Sequence, residues 1–288
     1  MATPTVRRLQ LGHELRHLRE RAAETIEAAA KIVERGTSTI SRLELGQTAL
    51  TQRQLGDLLD FYQSKIADRE DTTWLLDLAK GNEQRGRWSG YRAIYAKYFR
   101  MAVDLERDAT TISQYQTEIL PGLLQTEAYI RALMADSQAR VVDQKIEDAI
   151  QARIERQQVI TKDHAPEVGF VLSESAIRRV VGDTQTMRTQ LLHTADVATL
   201  PNVQFQVLPF TASTVPRVTY DFNLFRVPSP GRAGPLEFVY LEELTDGKYL
   251  DDPDHVAAYS GLWQRLVGAA LDPVESRAFL LRVAGEHR

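Results

Sequence analysis

The chain has no cysteine among its 288 residues, which excludes disulfides, thiolate metal sites and cysteine nucleophiles. It has no apolar run long enough to cross a bilayer, and its first residues, MATPTVRRLQLGHELR, lack the apolar core of a secretory signal. The expectation is a cytoplasmic protein without membrane association. Excess charge is scarce too. The 35 Lys and Arg against 39 Asp and Glu leave −4, which is not the profile of a general polyanion binder. There is no phosphate loop, no nucleophile elbow and no dinucleotide glycine fingerprint. His164, His193 and His255 stand in unrelated contexts. No catalytic residue, metal or cofactor is expected on these grounds, and an enzyme would need a site assembled from distant residues.

What is present is the composition of an ordinary globular protein, 43% hydrophobic and 26% charged, with length for two domains. The charge is unevenly placed. Residues 1–65 hold ten Lys and Arg against eight Asp and Glu, so a mildly basic head precedes an acidic body. Leu11, Leu15, Leu18 and Ala22 recur at helical spacing. Thr25 is placed to cap a second helix, Ile26 to Val33, rich in small alanines. After Glu34-Arg35-Gly36 a third helix, about Thr37 to Leu45, ends at Gly46, a residue suited to a left-handed cap. Thr51-x-x-Gln54 reads as a capping box for a fourth helix with Leu55, Leu58, Leu59 and Tyr62 inward. A fifth helical stretch spans about Asp71 to Lys80. A polar joint, Gly81 to Arg87, then sets the expected division: a head over 1–82 and a body over 83–288.

In the body, Leu105, Ala109, Ile112 and Ile119 suggest a further helix, as do Leu123 to Met134 and the Ile146, Ile150, Ile154 series. Runs at 168–172, 203–208, 218–227 and 236–241 are β-rich. Asp252-Pro253 and Asp272-Pro273 each place a capping aspartate before a proline at the first helical position. The expected class is therefore α+β, an all-α head followed by a mixed domain with a small sheet. Tyr220, Phe222, Phe225, Phe238 and Tyr240 read as sheet core, and Leu120 to Thr126 as a Pro-Gly joint with a threonine cap. His13 and His17 lie one turn apart with no third ligand nearby, which favours a solvated helix face over a metal site.

The helix, short turn, helix at 25–45 carries the functional signal. Ile40 and Leu43 point to the core, while Ser38, Ser41 and Arg42 project on or near the other side, the face a major-groove helix presents to bases. Ser38 and Thr39 suit base or phosphate contacts, Arg42 a guanine or phosphate, and Arg35 the flanking backbone. The helix starts at Thr25 and Thr37 offer backbone N–H groups to phosphates.

Thr25-x-Glu27-x-x-Ala30 followed by Ser38-Thr39-Ile40-Ser41-Arg42-Leu43-Glu44-x-Gly46 closely resembles the Xre-type (lambda-repressor-like) helix-turn-helix over about residues 8–62. That resemblance implies an ion pair between Arg19 on helix one and Glu44 ending helix three. Two positions depart from it: Ile26 stands where glutamine is frequent, and the turn lacks the family's earlier glycine. Trp88-x-x-Tyr91, Leu105-Glu106 and Leu120-Pro121-Gly122-Leu123-Leu124-Gln125-Thr126-Glu127-x-Tyr129 resemble an actinobacterial regulator family abundant in Streptomyces. This second resemblance implies a nucleoid-associated transcriptional regulator of double-stranded DNA and a small acidic partner protein encoded nearby. A homodimer is expected because two half-sites multiply the affinity of a weakly charged head. The alternatives are a small-molecule-sensing regulator and a DNA-tethered enzyme.

Overall fold

The structure is a computed structural model that describes residues 5–80, 95–96, 98–136, 143–212 and 220–287. The expected boundary at 82/83, the polar joint Gly81 to Arg87, and Trp88 and Tyr91 lie outside these residues. Two compact units emerge. The first comprises Met1–Gly90, Arg100–Asp108 and Val227–Leu236; the second comprises Tyr91–Phe99, Ala109–Arg226 and Glu237–Arg288.

The first unit opens with five helices: α1 (Val6–Arg21), α2 (Ile26–Ile32), α3 (Thr37–Glu44), α4 (Gln52–Lys65) and α5 (Thr73–Lys80). Each start has a local cause. The hydroxyls of Thr5, Thr25 and Thr51 accept from backbone N–H groups in the first turns of α1, α2 and α4. At α4 the reciprocal capping box is complete, and the Gln54 amide also donates to the Val33 carbonyl at 2.8 Å, tying α4 to the end of α2. Helices of seven and eight residues are too short to persist alone, so tertiary packing must hold α2 and α3. Ala29, Ala30, Val33, Ile40 and Leu43 supply it, buried with Leu11, Leu15, Leu18, Leu55, Leu58, Leu59, Tyr62 and Leu75.

The ends of α1, α2 and α3 share one device. Glu24 N–H bonds Arg19 C=O, Arg35 N–H bonds Ala30 C=O and Gln47 N–H bonds Arg42 C=O, the 6→1 bond of a Schellman motif each time. The residue this motif holds left-handed is Ala23 (φ 54°), Glu34 (φ 54°) and Gly46 (φ 67°). Only the last is glycine. Glu34 therefore occupies the strained position of the turn between α2 and α3. Glu34→Gly is expected to stabilise the first unit by about 0.5–1 kcal/mol, read as a raised melting temperature. An unchanged or lowered value would show that the Glu34 side chain offsets its backbone strain.

The second unit is a mixed sheet with helices. Its strands are β1 (Thr111–Gln116), β2 (Glu167–Ser173), β3 (Val203–Leu208), β4 (Phe222–Val227), β5 (Leu236–Glu242) and β6 (Gly247–Leu250), in spatial order β3-β2-β1-β4-β5-β6. β1, β2 and β3 run parallel, with Ile112 opposite Val168 and Phe170 opposite Phe205; β4 is antiparallel to β1 and β6 to β5. The α+β class holds: an all-α helical head and a mixed domain with one open sheet.

The helix expected through Leu105, Ala109, Ile112 and Ile119 is corrected. Helix α6 covers Arg100–Asp108 and stops, and Ile112 lies on β1, the strand between β2 and β4. Both faces of β1 are covered, so Ser113 and Gln114 are buried along with Ile112 and Tyr115. Those polar residues hide the strand's hydrophobic signature. Two further helices, α7 (Glu127–Asp136) and α8 (Asp143–Gln157), connect β1 to β2, and α9 (Glu174–Arg178) and α10 (Thr184–Val197) connect β2 to β3. Helix α11 (Pro253–Ala269) lays Val256, Leu262 and Leu266 on the sheet face that carries Tyr115, Val171, Phe222 and Val239. Gly169 sits under it, where a Cβ would stand 2.7 Å from the Trp263 ring. Helix α12 (Pro273–Glu286) packs against α10 and β3. Among the described residues no helix is long and apolar enough to cross a membrane, and no group of histidine or acidic side chains is arranged to hold a metal ion.

Candidate nucleic-acid interface

Helix α3 has one buried and one open side. Ile40 and Leu43 are fully buried, whereas Thr37, Ser38 and Arg42 are exposed and Thr39 and Ser41 half-buried. Gly36 caps α3 without a side-chain bond, so among the described residues its first-turn N–H groups have no capping side chain. The Arg42 Nε donates to the Ser38 carbonyl at 3.1 Å, laying the stem along the helix with the rest of the guanidinium outward. Arg35 is exposed in the turn, and neither arginine makes an ion pair among the described residues. Thr25 is exposed, but its hydroxyl oxygen accepts from the Ala28 N–H at 3.1 Å, so only its own proton is left for a phosphate.

Two contacts fix α3 on α1. The Arg19 guanidinium makes a two-pronged bond to Glu44, Nε to Oε1 at 2.6 Å and Nη2 to Oε2 at 2.9 Å. The side chains keep only 13% and 8% of their exposure, and the Glu44 bond raises the Arg19 pKa further above its ordinary value. Tyr62 is fully buried, and that burial pushes its phenol well above its usual ionisation range. The second contact escapes a residue-type reading. Gly12, in the middle of α1, faces the last turn of α3. A Cβ there would lie 2.6 Å from the Leu43 carbonyl oxygen and closer still to that of Glu44. A glycine inside a strong helical pattern, tolerated at a cost of about 1 kcal/mol against alanine, was the available signal.

The other side of α1 also has partners within this unit. Gln10 donates to the Pro228 carbonyl at 3.0 Å and His13 Nε2 lies 3.2 Å from the Ala233 carbonyl. The Ser229 hydroxyl donates to the carboxylate of the buried Glu14, and Arg232 bonds Asp68. His13 thus sits against backbone rather than on an open face. Contacts between residues 164 to 220 positions apart leave no trace in local spacing.

A short helix with a polar outer face, set at its base by an arginine–glutamate pair, defines a helix-turn-helix protein of the DNA-binding regulatory kind. Residues 10–71 match the helix-turn-helix domain family, and residues 99–282 match the family described as a domain of unknown function (DUF5753). The chain belongs to the latter family, with the helix-turn-helix domain at its N-terminal side. No curated protein and no solved structure matches it.

Proposed function

We propose that the protein is a sequence-specific transcriptional regulator that reads double-stranded DNA with α3. The observation that carries this is the division of α3 into a core-anchored side, Ile40 and Leu43, and an exposed polar side with Ser38 and Arg42, which makes no ion pair among the described residues. Arg42 suits a guanine edge or a phosphate, Ser38, Thr39 and Ser41 adjoining positions, and Thr25, Arg35 and Thr37 the flanking backbone. In this reading the head is of the Xre type, the lineage is actinobacterial (Streptomyces), and the protein works in the cytoplasm on the nucleoid.

The same reading makes the protein a homodimer whose C-terminal domain supplies oligomerisation and answers to a small acidic partner protein. The support for dimerisation is energetic. A head with so small a charge excess neutralises few phosphates, and doubling the contacts multiplies affinity. The reading assigns no catalytic residue and no cofactor.

The test is the triple substitution Ser38→Ala, Thr39→Ala and Arg42→Ala. Operator affinity is expected to fall about 100-fold or more, since each lost base contact is worth about 1–3 kcal/mol. Binding is followed by gel shift at fixed salt, with circular dichroism as the check on folding. Wild-type affinity in a folded triple variant would remove α3 from the interface. Genome-wide binding-site mapping supplies the operator.

A further inference from the structure

A second constellation lies in the other unit, at the carboxyl end of β1, where β4 begins and β5 ends. Side chains alternate along a strand, and Tyr115, Phe222 and Val239 occupy the α11 face. Gln114, Asn223 and Tyr240 therefore share the opposite face, with Gln114 directly across from Asn223. All three carry a polar atom that is buried and, among the described residues, without a hydrogen-bond partner: Gln114 Oε1, Asn223 Oδ1 and the Tyr240 hydroxyl. One such atom is ordinary; three on adjoining strands call for a cause, because each gives up its hydration with no bond in return.

Charge is gathered at the same place. Arg153 and Arg156 of α8 stand near Glu242 of β5. Arg153 donates to the neutral Gln125 amide at 2.9 Å and has no carboxylate within ion-pair distance among the described residues. Burial, with Arg156 as a like-charged neighbour, pushes its pKa down, and burial pushes that of Glu242 up. The Arg156 guanidinium lies 4.9 Å over the Phe99 ring. Phe99 adjoins Tyr240 (6.1 Å between ring centres), which stacks on Tyr249 (4.8 Å). The Pro-Gly joint is part of this arrangement. A Cβ on Gly122 would lie 2.6 Å from the Arg156 guanidinium, so glycine lets the arginine reach the site.

We propose that this constellation is a binding site for a small aromatic carboxylate. Arg153, beside Arg156, takes the carboxylate; the contiguous Phe99 and Tyr240 rings form one apolar wall for its ring; and Gln114, Asn223 and the Tyr240 hydroxyl satisfy its remaining polar groups. Ligands of open sheets characteristically sit outside the carboxyl ends of parallel strands, and a few convergent polar groups among aromatic side chains are the usual furnishing of such a site.

The probe is 4-hydroxybenzoate added to the full-length protein without DNA, so the outcome is independent of the DNA reading. Melting temperature is expected to rise with probe concentration, because a ligand stabilises the state it binds. Titration calorimetry is expected to give at least tenfold weaker binding in Arg153→Gln and in Tyr240→Phe. The neutral methyl ester and inorganic phosphate should each bind at least tenfold more weakly than the acid. Tyr240→Phe carries a second readout. Without probe it should melt no lower than wild type, since it removes a buried hydroxyl that has no partner among the described residues. A lower melting temperature would make that hydroxyl structural and overturn the assignment. So would a wild-type protein indifferent to the probe, equal binding of the ester or of phosphate, or undiminished affinity in the two variants.

Discussion

Gly12→Ala is expected to destabilise the helix-turn-helix unit by about 3 kcal/mol, the upper end of the usual cost of overpacking. Intrinsic propensity argues the other way, because alanine gains about 1 kcal/mol over glycine inside a helix. Sterics decide the sign. The atoms a methyl group would meet are the carbonyls of Leu43 and Glu44, backbone of α3 that cannot rotate aside. The two helices must separate, which loosens Ile40 and Leu43 in the core and draws Arg19 away from Glu44. Gly56, in α4, is the matched control, with nothing within 4 Å of a Cβ. Gly56→Ala should follow propensity and stabilise by about 0.5–1 kcal/mol. Thermal melting of the pair reads the contrast, with operator affinity falling in the first variant only. Equal stabilisation of both would mean that α1 and α3 are not in the contact described.

Legibility from sequence follows how local the determinants are. The capping box at Thr51 and Gln54, the stop at Gly46 and the inward pair Ile40 and Leu43 are set by residues within a turn or two of one another, and all could be read directly. The Arg19–Glu44 pair is 25 residues apart and became visible through family resemblance rather than spacing. Gly12 gives no residue-type signal because a glycine carries no side chain to classify; its meaning lies in the backbone opposite. Glu34 and Ala23 hold left-handed positions that residue type argues against, so the motif they close was invisible. β1 was hidden for a different reason. A strand covered on both faces need not alternate, and Ser113 and Gln114 diluted its apolar run. The contacts of Gln10, His13 and Glu14 with residues 228–233 depend wholly on tertiary folding, as does the gathering of Gln114, Asn223, Tyr240 and Arg153. The α+β class was legible because helical and β-rich periods occupy separate stretches of the chain.

Arg19→Ala and Glu44→Ala are each expected to cost about 3 kcal/mol, the lower end for breaking a buried ion pair, since both side chains keep a little exposure. The loss is not the strength of the pair. Each single substitution strands the other charge in a site that has already shed most of its water. The two need not be equal: Arg19 also donates to the Glu24 carbonyl at 3.3 Å and lies 3.8 Å from Glu20, so it keeps partners when Glu44 is removed. Arg19→Ala leaves a carboxylate beside the buried Tyr62 ring and should be the more damaging. The double variant Arg19→Met with Glu44→Leu replaces both charges by apolar groups of similar bulk. It is expected to recover at least half of the loss, because the desolvation penalty goes with the charges. A double-mutant cycle on melting free energies measures the coupling, and a value near zero would mean the pair contributes nothing beyond its separate parts. Operator affinity adds a second axis. If the pair serves to fix the end of α3, the apolar double variant should fold well yet bind DNA more weakly than wild type, since packing alone lets the helix rotate about Ile40 and Leu43. Full affinity in that variant would show that the core by itself sets the pitch of α3.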